Sequence, residues 1–122
     1  MGWYKSEKSE FWVYEGNPRI ELKYGLVRVH YKDCTESLSP VGFEIQCHGK
    51  KRPMNLEEIV EHRNTVTKAL SEIKMEGLFT YQLWNDYAKF FNEKVKNFID
   101  DKEYADKLLI DYKRASILKE AS

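Results

Sequence analysis

The fold is decided by residues 12–48, which read WVYEGNPRIELKYGLVRVHYKDCTESLSPVGFEIQCH. Apolar residues stand at alternate positions in four short runs, and turn-forming residues separate the runs. Such alternation is typical of strands with one buried and one solvated face. The sequence therefore predicts a four-stranded antiparallel β-meander over about residues 10–48. Its predicted buried face consists of Trp12, Tyr14, Ile20, Leu22, Val27, Val29, Tyr31, Phe43, Ile45 and Cys47.

Two tight turns determine how the first three strands pair. A Gly-Asn-Pro cluster at 16–18 closes one hairpin, and Gly25 supplies the positive φ that a two-residue turn needs. The resulting neighbour pairs are Trp12 with Leu22, Ile20 with Val29, and Glu21 with Arg28. Because acid then faces base and apolar faces apolar, we favour this turn over the alternative, a bulge at Gly25 within one long strand.

The last pairing depends on a predicted loop around Ser37, in a segment that contains Ser, Thr and Pro. This loop places Val29 opposite Ile45. It leaves Cys34 near the loop and Cys47 on a strand, away from each other. Two cysteines do not make a disulfide framework, so we expect two free thiols.

Helical patterns follow the sheet. Asn55 and Glu58 form a capping box at the start of a helix over about 55–76, whose apolar stripe is predicted to pack on the sheet. Farther on, Asp100 and Asp101 resemble a new helix cap. Two more helices are therefore predicted, over about 80–99 and 101–119, and one bent helix is the alternative. The predicted fold class is α+β.

The composition is typical of one small domain without a strong charge field. The chain has 122 residues, with 20 Lys and Arg against 20 Asp and Glu. This balance gives no global attraction to nucleic acid or to acidic lipid. No apolar run approaches the roughly 20 residues of a membrane span, so we expect a cytoplasmic protein. We predict a single domain over 1–122, with residues 1–9 as a frayed tail.

Surplus apolar residues indicate a protein-binding surface. Some lie off the core-facing stripes of the C-terminal helices, and two aromatic residues stand in the N-terminal tail as core satellites or as contacts. These candidates are Phe90, Leu109, Ile110, Ile117, Trp3 and Tyr4. We therefore predict a small non-enzymatic protein-binding module of the inhibitor, immunity or accessory type, which acts through an apolar helical surface as a homodimer.

Basic residues of the sheet and of the link after it support a first alternative, the binding of single-stranded nucleic acid. The candidate phosphate contacts are Arg28, Lys32, Lys50, Lys51 and Arg52. Such platforms add exposed aromatic residues for base stacking. Here the sheet aromatics are predicted mainly on the covered face, with only Phe11 on the opposite face, which disfavours this alternative.

A second alternative is a metal-independent, ribonuclease-like enzyme. The predicted register places Glu44 beside His30, with Arg28 in the next row, which suits acid–base work and phosphate stabilisation. Ordinary cross-strand charge pairs account for the same residues, and no short catalytic motif is present. An enzyme is therefore the less favoured class.

Metal and cofactor binding are not expected. The residues with ligand chemistry are His30, Cys34, Cys47 and His48. The predicted register separates them, whereas a structural zinc site needs four converging ligands. His62 is expected to be solvated on its helix.

Overall fold

The computed structural model describes residues 2–71 and 78–111. The chain divides into two compact units, Met1–Glu72 and Ile73–Ser122, which we call the N-terminal and C-terminal units. The α+β class is confirmed, since an antiparallel sheet precedes the helices. The single domain over 1–122 stays a prediction.

The sheet has seven strands in sequence order, each antiparallel to its neighbours. The predicted four-stranded meander over about 10–48 is therefore wrong in strand number. The strands are β1 Trp3–Lys5, β2 Trp12–Tyr14, β3 Arg19–Lys23, β4 Leu26–His30, β5 Cys34–Ser39, β6 Gly42–Cys47 and β7 Lys50–Pro53. A simple up-and-down order follows from the short turns that join β3 to β7.

The predicted pairing of β2, β3 and β4 is confirmed. Trp12 lies opposite Leu22, Ile20 opposite Val29, and Glu21 opposite Arg28. Gly25 has a φ of 93°, which is the left-handed conformation that the predicted turn requires. The turn, rather than a bulge, therefore joins β3 to β4.

The predicted loop around Ser37 is wrong, because that segment forms strand β5, which lies between β4 and β6 in the sheet. Val29 pairs with Glu36, and Glu36 pairs in turn with Ile45, so the predicted direct pairing of Val29 with Ile45 does not occur. The segment does alternate, since Leu38 is buried and the hydroxyl residues face outward. An inward-facing glutamate hides this alternation in the sequence.

The two edge strands were also missed. The predicted frayed tail contains β1, in which Tyr4 pairs with Val13. The basic link after the sheet is β7, in which Lys51 pairs with Gln46. Both strands are short and charged, which is typical of sheet edges and gives a weak period-two signal.

A disulfide joins Cys34 and Cys47, so the expected free thiols are wrong. The two residues are direct partners across β5 and β6, with Cα atoms 4.4 Å apart. This distance lies at the short end of the range that a disulfide spans. The sequence-based register failed here because it lacked β5.

Helix α1, Leu56–Ser71, packs on one face of the sheet, which we call the inner face. The indole of Trp3 donates to the carbonyl of Ala69 at 3.1 Å, and the rings of Phe43 and His62 meet edge to face. The buried helix residues are Ile59, His62, Val66, Ala69 and Leu70. Each apolar side chain buried in this way contributes about 1.5–3 kcal/mol. His62 is fully buried, which corrects the expected solvated position: it lies three residues after Ile59, on the same stripe.

The predicted capping box at the start of α1 is confirmed. The backbone N–H of Glu58 donates to Asn55 Oδ1, and the N–H of Asn55 donates to Glu58 Oε1, both at 2.9 Å. Arg52 adds a bidentate pair to Glu58 at 2.7 and 2.8 Å. Its hydrogen bond holds the pKa of Glu58 below the ordinary value, against the opposite effect of partial burial.

The C-terminal unit contains α2, Leu78–Phe98, and α3, Lys102–Leu108. Asp101 caps α3 by accepting from the N–H of Tyr104, as the predicted cap required. Two helices rather than one bent helix are therefore present. Because α3 ends at Leu108, the predicted continuous helix over 101–119 is wrong at its middle, and residues 112–119 lie outside the described part.

Candidate functional site

Two rows of polar side chains cross the sheet face opposite α1, which we call the outer face. Cα pairing aligns residues of adjacent strands, and alternate residues of each strand share a face. The first row is Arg19, His30, Thr35, Gln46 and Lys51, and the second is Glu21, Arg28, Ser37 and Glu44. The two rows bring acid, base and hydroxyl groups within reach of one another.

A groove of about 610 Å³ follows β5 on the outer face, and we call it the outer groove. Its floor consists of Thr35, Ser37 and Ser39, whose side chains are short. Longer side chains of β4 and β6 stand on both sides. The lining residues beyond the floor are Leu26, Arg28, His30, Asp33, Val41, Glu44, Gln46, His48, Gly49 and Lys51. A strand of small residues between strands of large ones therefore makes the groove.

The charges of the outer groove are balanced. Among its described lining residues, Arg28 and Lys51 oppose Asp33 and Glu44. Lys51 Nζ lies 3.5 Å from Glu44 Oε1, and Arg28 Nη1 lies 3.7 Å from a Glu21 oxygen. No Phe, Tyr or Trp is among the described lining residues. The groove therefore suits a polar ligand of mixed charge better than a polyanion.

A hydroxyl, an imidazole and a carboxylate are connected at one wall of the groove. His30 Nε2 lies 2.6 Å from Glu21 Oε1, and His30 Nδ1 lies 3.4 Å from Thr35 Oγ1. Since an ionised carboxylate only accepts, Nε2 is the donor, and Nδ1 of the neutral ring accepts from the Thr35 hydroxyl. Arg19 Nη1 lies 3.8 Å from the second Glu21 oxygen. Glu21 can therefore hold the His30 ring in one orientation, and His30 Nδ1 can accept the proton of the Thr35 hydroxyl.

The predicted neighbours His30 and Glu44 do not pair, because β5 lies between their strands. They stand in different rows, although both line the outer groove together with Arg28. The residues that contact His30 are Glu21 and Thr35, which sequence reasoning did not single out. The predicted pairing of Glu21 with Arg28 already placed the carboxylate close by, but Thr35 was assigned to a loop.

The predicted nucleic-acid contacts do not form one patch. Arg28 and Lys51 line the outer groove, while Arg52 turns toward α1 and pairs with Glu58. Lys32 and Lys50 are exposed and do not line the groove. The five cations are thus divided among different parts of the surface.

The predicted partner-binding residues have varied surroundings. Phe90 and Ile110 are buried, Leu109 is half-buried, and Ile117 lies outside the described residues. Trp3 is half-buried. Tyr4 is exposed, and its hydroxyl donates to Glu15 at 2.8 Å, which raises the pKa of Tyr4. A partner surface on these residues stays a prediction.

A buried polar contact lies beneath the sheet. Glu36 of β5 faces inward, and its Oε1 lies 3.4 Å from His62 Nδ1 of α1. Burial raises the pKa of the nearby Tyr31 phenol, and the charge of Glu36 raises it by a smaller amount. A hydrogen bond to Thr65 partly opposes this rise. These groups join β4, β5 and α1 in the interior of the N-terminal unit.

Residues 2–71 and 78–111 lack two further features that would indicate a function. No cluster of three or more His, Cys, Asp or Glu side chains that is arranged to hold a metal ion occurs there. In the same residues, no helix combines the length and apolar character that crossing a bilayer requires.

No protein-family model matches the chain, and no curated protein or solved structure matches it either. The functional assignment therefore depends on the outer face itself.

Proposed function

We propose that the N-terminal unit is a polypeptide-binding module whose outer groove receives an extended segment of a protein partner. The observation that supports this proposal is the row of hydroxyl groups on β5, which lies between two strands with longer side chains. Ser and Thr hydroxyls both donate and accept, so they can pair with peptide N–H and C=O groups. The proposal keeps the predicted inhibitor, immunity or accessory type of function, in which binding blocks or supports a partner.

The size of the groove favours an extended segment. Strand β5 has six residues, which span roughly 20 Å at the rise of a strand. A partner segment of about six residues matches this length. At one end of the groove Leu26 and the exposed Val41 offer apolar contact, while the opposite end has His30 and Asp33. We therefore expect a segment with one apolar end and a mixed-charge body.

Charge favours polypeptide over nucleic acid as the occupant. A single-strand platform needs a basic track and stacking aromatics. The described lining residues have equal numbers of Lys and Arg side chains and of carboxylates, and none of them is Phe, Tyr or Trp. Single-stranded nucleic acid remains the alternative occupant, and its signature would be affinity that falls steeply with salt.

The binding face is tested by selecting peptides from a displayed random library against the full chain. Ser37→Trp fills the floor of the groove, and Ser9→Trp makes the same change on the exposed segment before β2. Selected peptides should lose at least tenfold in affinity for Ser37→Trp and keep their affinity for Ser9→Trp. Circular dichroism checks that both variants fold.

Several outcomes would reject the proposal. Peptides that bind wild type and Ser37→Trp equally would place the binding face elsewhere. An oligonucleotide that binds with steep salt dependence, and is released by Arg28→Gln, would favour the nucleic-acid alternative. The predicted homodimer through the C-terminal helices is a separate proposal, and sedimentation equilibrium at rising concentration tests it.

A further inference from the structure

We propose that the first row of the outer face is also an acyl-transfer site, in which Thr35 attacks small activated carboxylic esters. The proposal does not depend on polypeptide binding in the groove. Its basis is the line of contacts from Glu21 through His30 to Thr35, at 2.6 and 3.4 Å. A nucleophile beside a base that a third group orients is the general arrangement of covalent acyl transfer.

The strand order places each group on the side where the reaction needs it. Thr35 stands on β5, with His30 as its partner on β4 and Gln46 as its partner on β6. Directly opposed residues have Cβ atoms about 5 Å apart. The base therefore lies on one side of the hydroxyl, and the Gln46 amide, a hydrogen-bond donor, lies on the other. That donor can stabilise the negative charge that develops on a carbonyl oxygen.

Glu21 determines which ring nitrogen of His30 faces the nucleophile. Its contact with Nε2 leaves Nδ1 directed at Thr35. Arg19 and Arg28 lie 3.8 and 3.7 Å from the Glu21 oxygens and hold the carboxylate between them. Glu21 is thus a positioning residue, since it acts through His30 and does not contact the reacting atoms.

The reaction has two balanced steps. Thr35 Oγ1 forms a bond to the ester carbonyl carbon while its proton passes to His30 Nδ1. The bond from carbonyl carbon to the leaving oxygen then breaks, and the proton on His30 passes to a basic leaving alcohol or, when p-nitrophenolate leaves as the anion, to solvent. In the second step water attacks the carbonyl carbon of the Thr35 ester while His30 accepts a proton from that water. The bond from the carbonyl carbon to Thr35 Oγ1 then breaks, His30 returns the proton to Oγ1, and the carboxylic acid is released. No redox partner is needed.

The test uses p-nitrophenyl acetate with the full chain. Wild type should release p-nitrophenolate in a burst, and peptide mapping should find one acetyl group on Thr35. That ester is removed by hydroxylamine, whereas acetyl amides on lysine resist it. Thr35→Ser should keep the adduct and Thr35→Val should lose it, while Thr67→Val, a change on α1, should match wild type.

The variants of the base separate catalysis from a structural role. His30→Gln should slow acetylation of Thr35 by about 100-fold. The wild-type rate should rise with pH through one titration, and this titration should be absent from His30→Gln. Glu21→Gln should lower the rate and leave Thr35 as the acetylated residue.

Three results would overturn the proposal. They are the absence of a Thr35 ester in folded wild type, equal acetylation of Thr35 in His30→Gln, and ester hydrolysis that Thr35→Val leaves unchanged. Because the ester is small, these results do not depend on the peptide selection. Peptide mapping of the acetyl group and the affinity of selected peptides therefore report on the two proposals separately.

Discussion

The buried contact between Glu36 and His62 yields the sharpest prediction about stability. Glu36 is 4% exposed and His62 is fully buried, and their closest atoms are 3.4 Å apart. Glu36 also lies between Val29 and Ile45 in the register, so it has apolar neighbours on both adjacent strands. Replacing His62 by leucine, which has a similar volume, leaves a carboxylate in this interior without the imidazole.

The two single substitutions should have unequal costs. Removing the partner of a buried charged group costs about 3–5 kcal/mol, and His62→Leu should fall at the lower end of that range. Glu36→Leu should cost less, about 1–2 kcal/mol, because it leaves a polar imidazole rather than a carboxylate without its partner. The double variant should lie within about 1 kcal/mol of wild type, since apolar residues of similar volume replace both polar groups. The coupling energy is then about 4 kcal/mol.

Urea unfolding of the full chain, followed by far-ultraviolet circular dichroism, measures the four free energies. Glu61→Leu is the matched control, because Glu61 is the exposed neighbour of His62 on α1. It should change stability by less than about 0.5 kcal/mol. If His62→Leu is as stable as wild type, or if the double variant loses the sum of the two single effects, the contact is not a coupled buried pair.

Three other predictions concern the elements around the site. Arg52 holds the pKa of Glu58 below its ordinary value of 4.5. Wild type should therefore be more stable than Glu58→Gln above that pH, and the difference should vanish as the pH falls through the pKa of Glu58 in the folded protein. Urea unfolding midpoints measured across the acid range test this. Reduction of the disulfide between Cys34 and Cys47 should cost about 3 kcal/mol, and reductant should have no effect on the double serine variant. Asn92→Ala removes two buried hydrogen bonds to the backbone after α3 and should cost about 2–4 kcal/mol by thermal unfolding.

The pairing of β2, β3 and β4 was predictable because two independent signals agree there. Apolar residues alternate on each strand, and Gly25 marks the turn between the second and third of them. A shift of one residue would send Ile20 and Val29 to solvent and separate Glu21 from Arg28, so only one register satisfies both faces. The capping box at Asn55 was predictable for a similar reason, since both of its partners are close in sequence.

Strand β5 could not be recognised from local sequence. Its outward residues are Ser and Thr, which favour turns, and one of its inward residues is a glutamate. His62 lies against this inward-facing glutamate, and that histidine comes 26 residues later on another element. Long-range contacts of this kind leave no trace in the periodicity of a short segment.

One missing strand also explains the error in the candidate site. Since β5 lies between β4 and β6, every residue of β6 has β5 rather than β4 as its neighbour. Glu44 was therefore expected beside His30, whereas it stands opposite Ser37 in the other row. Thr35, the side chain that contacts His30 Nδ1, was assigned to a loop.

The inner and outer faces of β5 are linked by the period of the strand. A slip of one residue would turn Glu36 into the outer groove and place the hydroxyls of Thr35 and Ser37 in the core. Such a slip would remove the contact with His62 and bury hydroxyl groups among apolar neighbours, which costs free energy. The buried pair therefore favours the one orientation of β5 in which the groove has its hydroxyl floor. On this reasoning His62, which lies on the opposite side of the sheet, helps to determine which side chains face the outer groove.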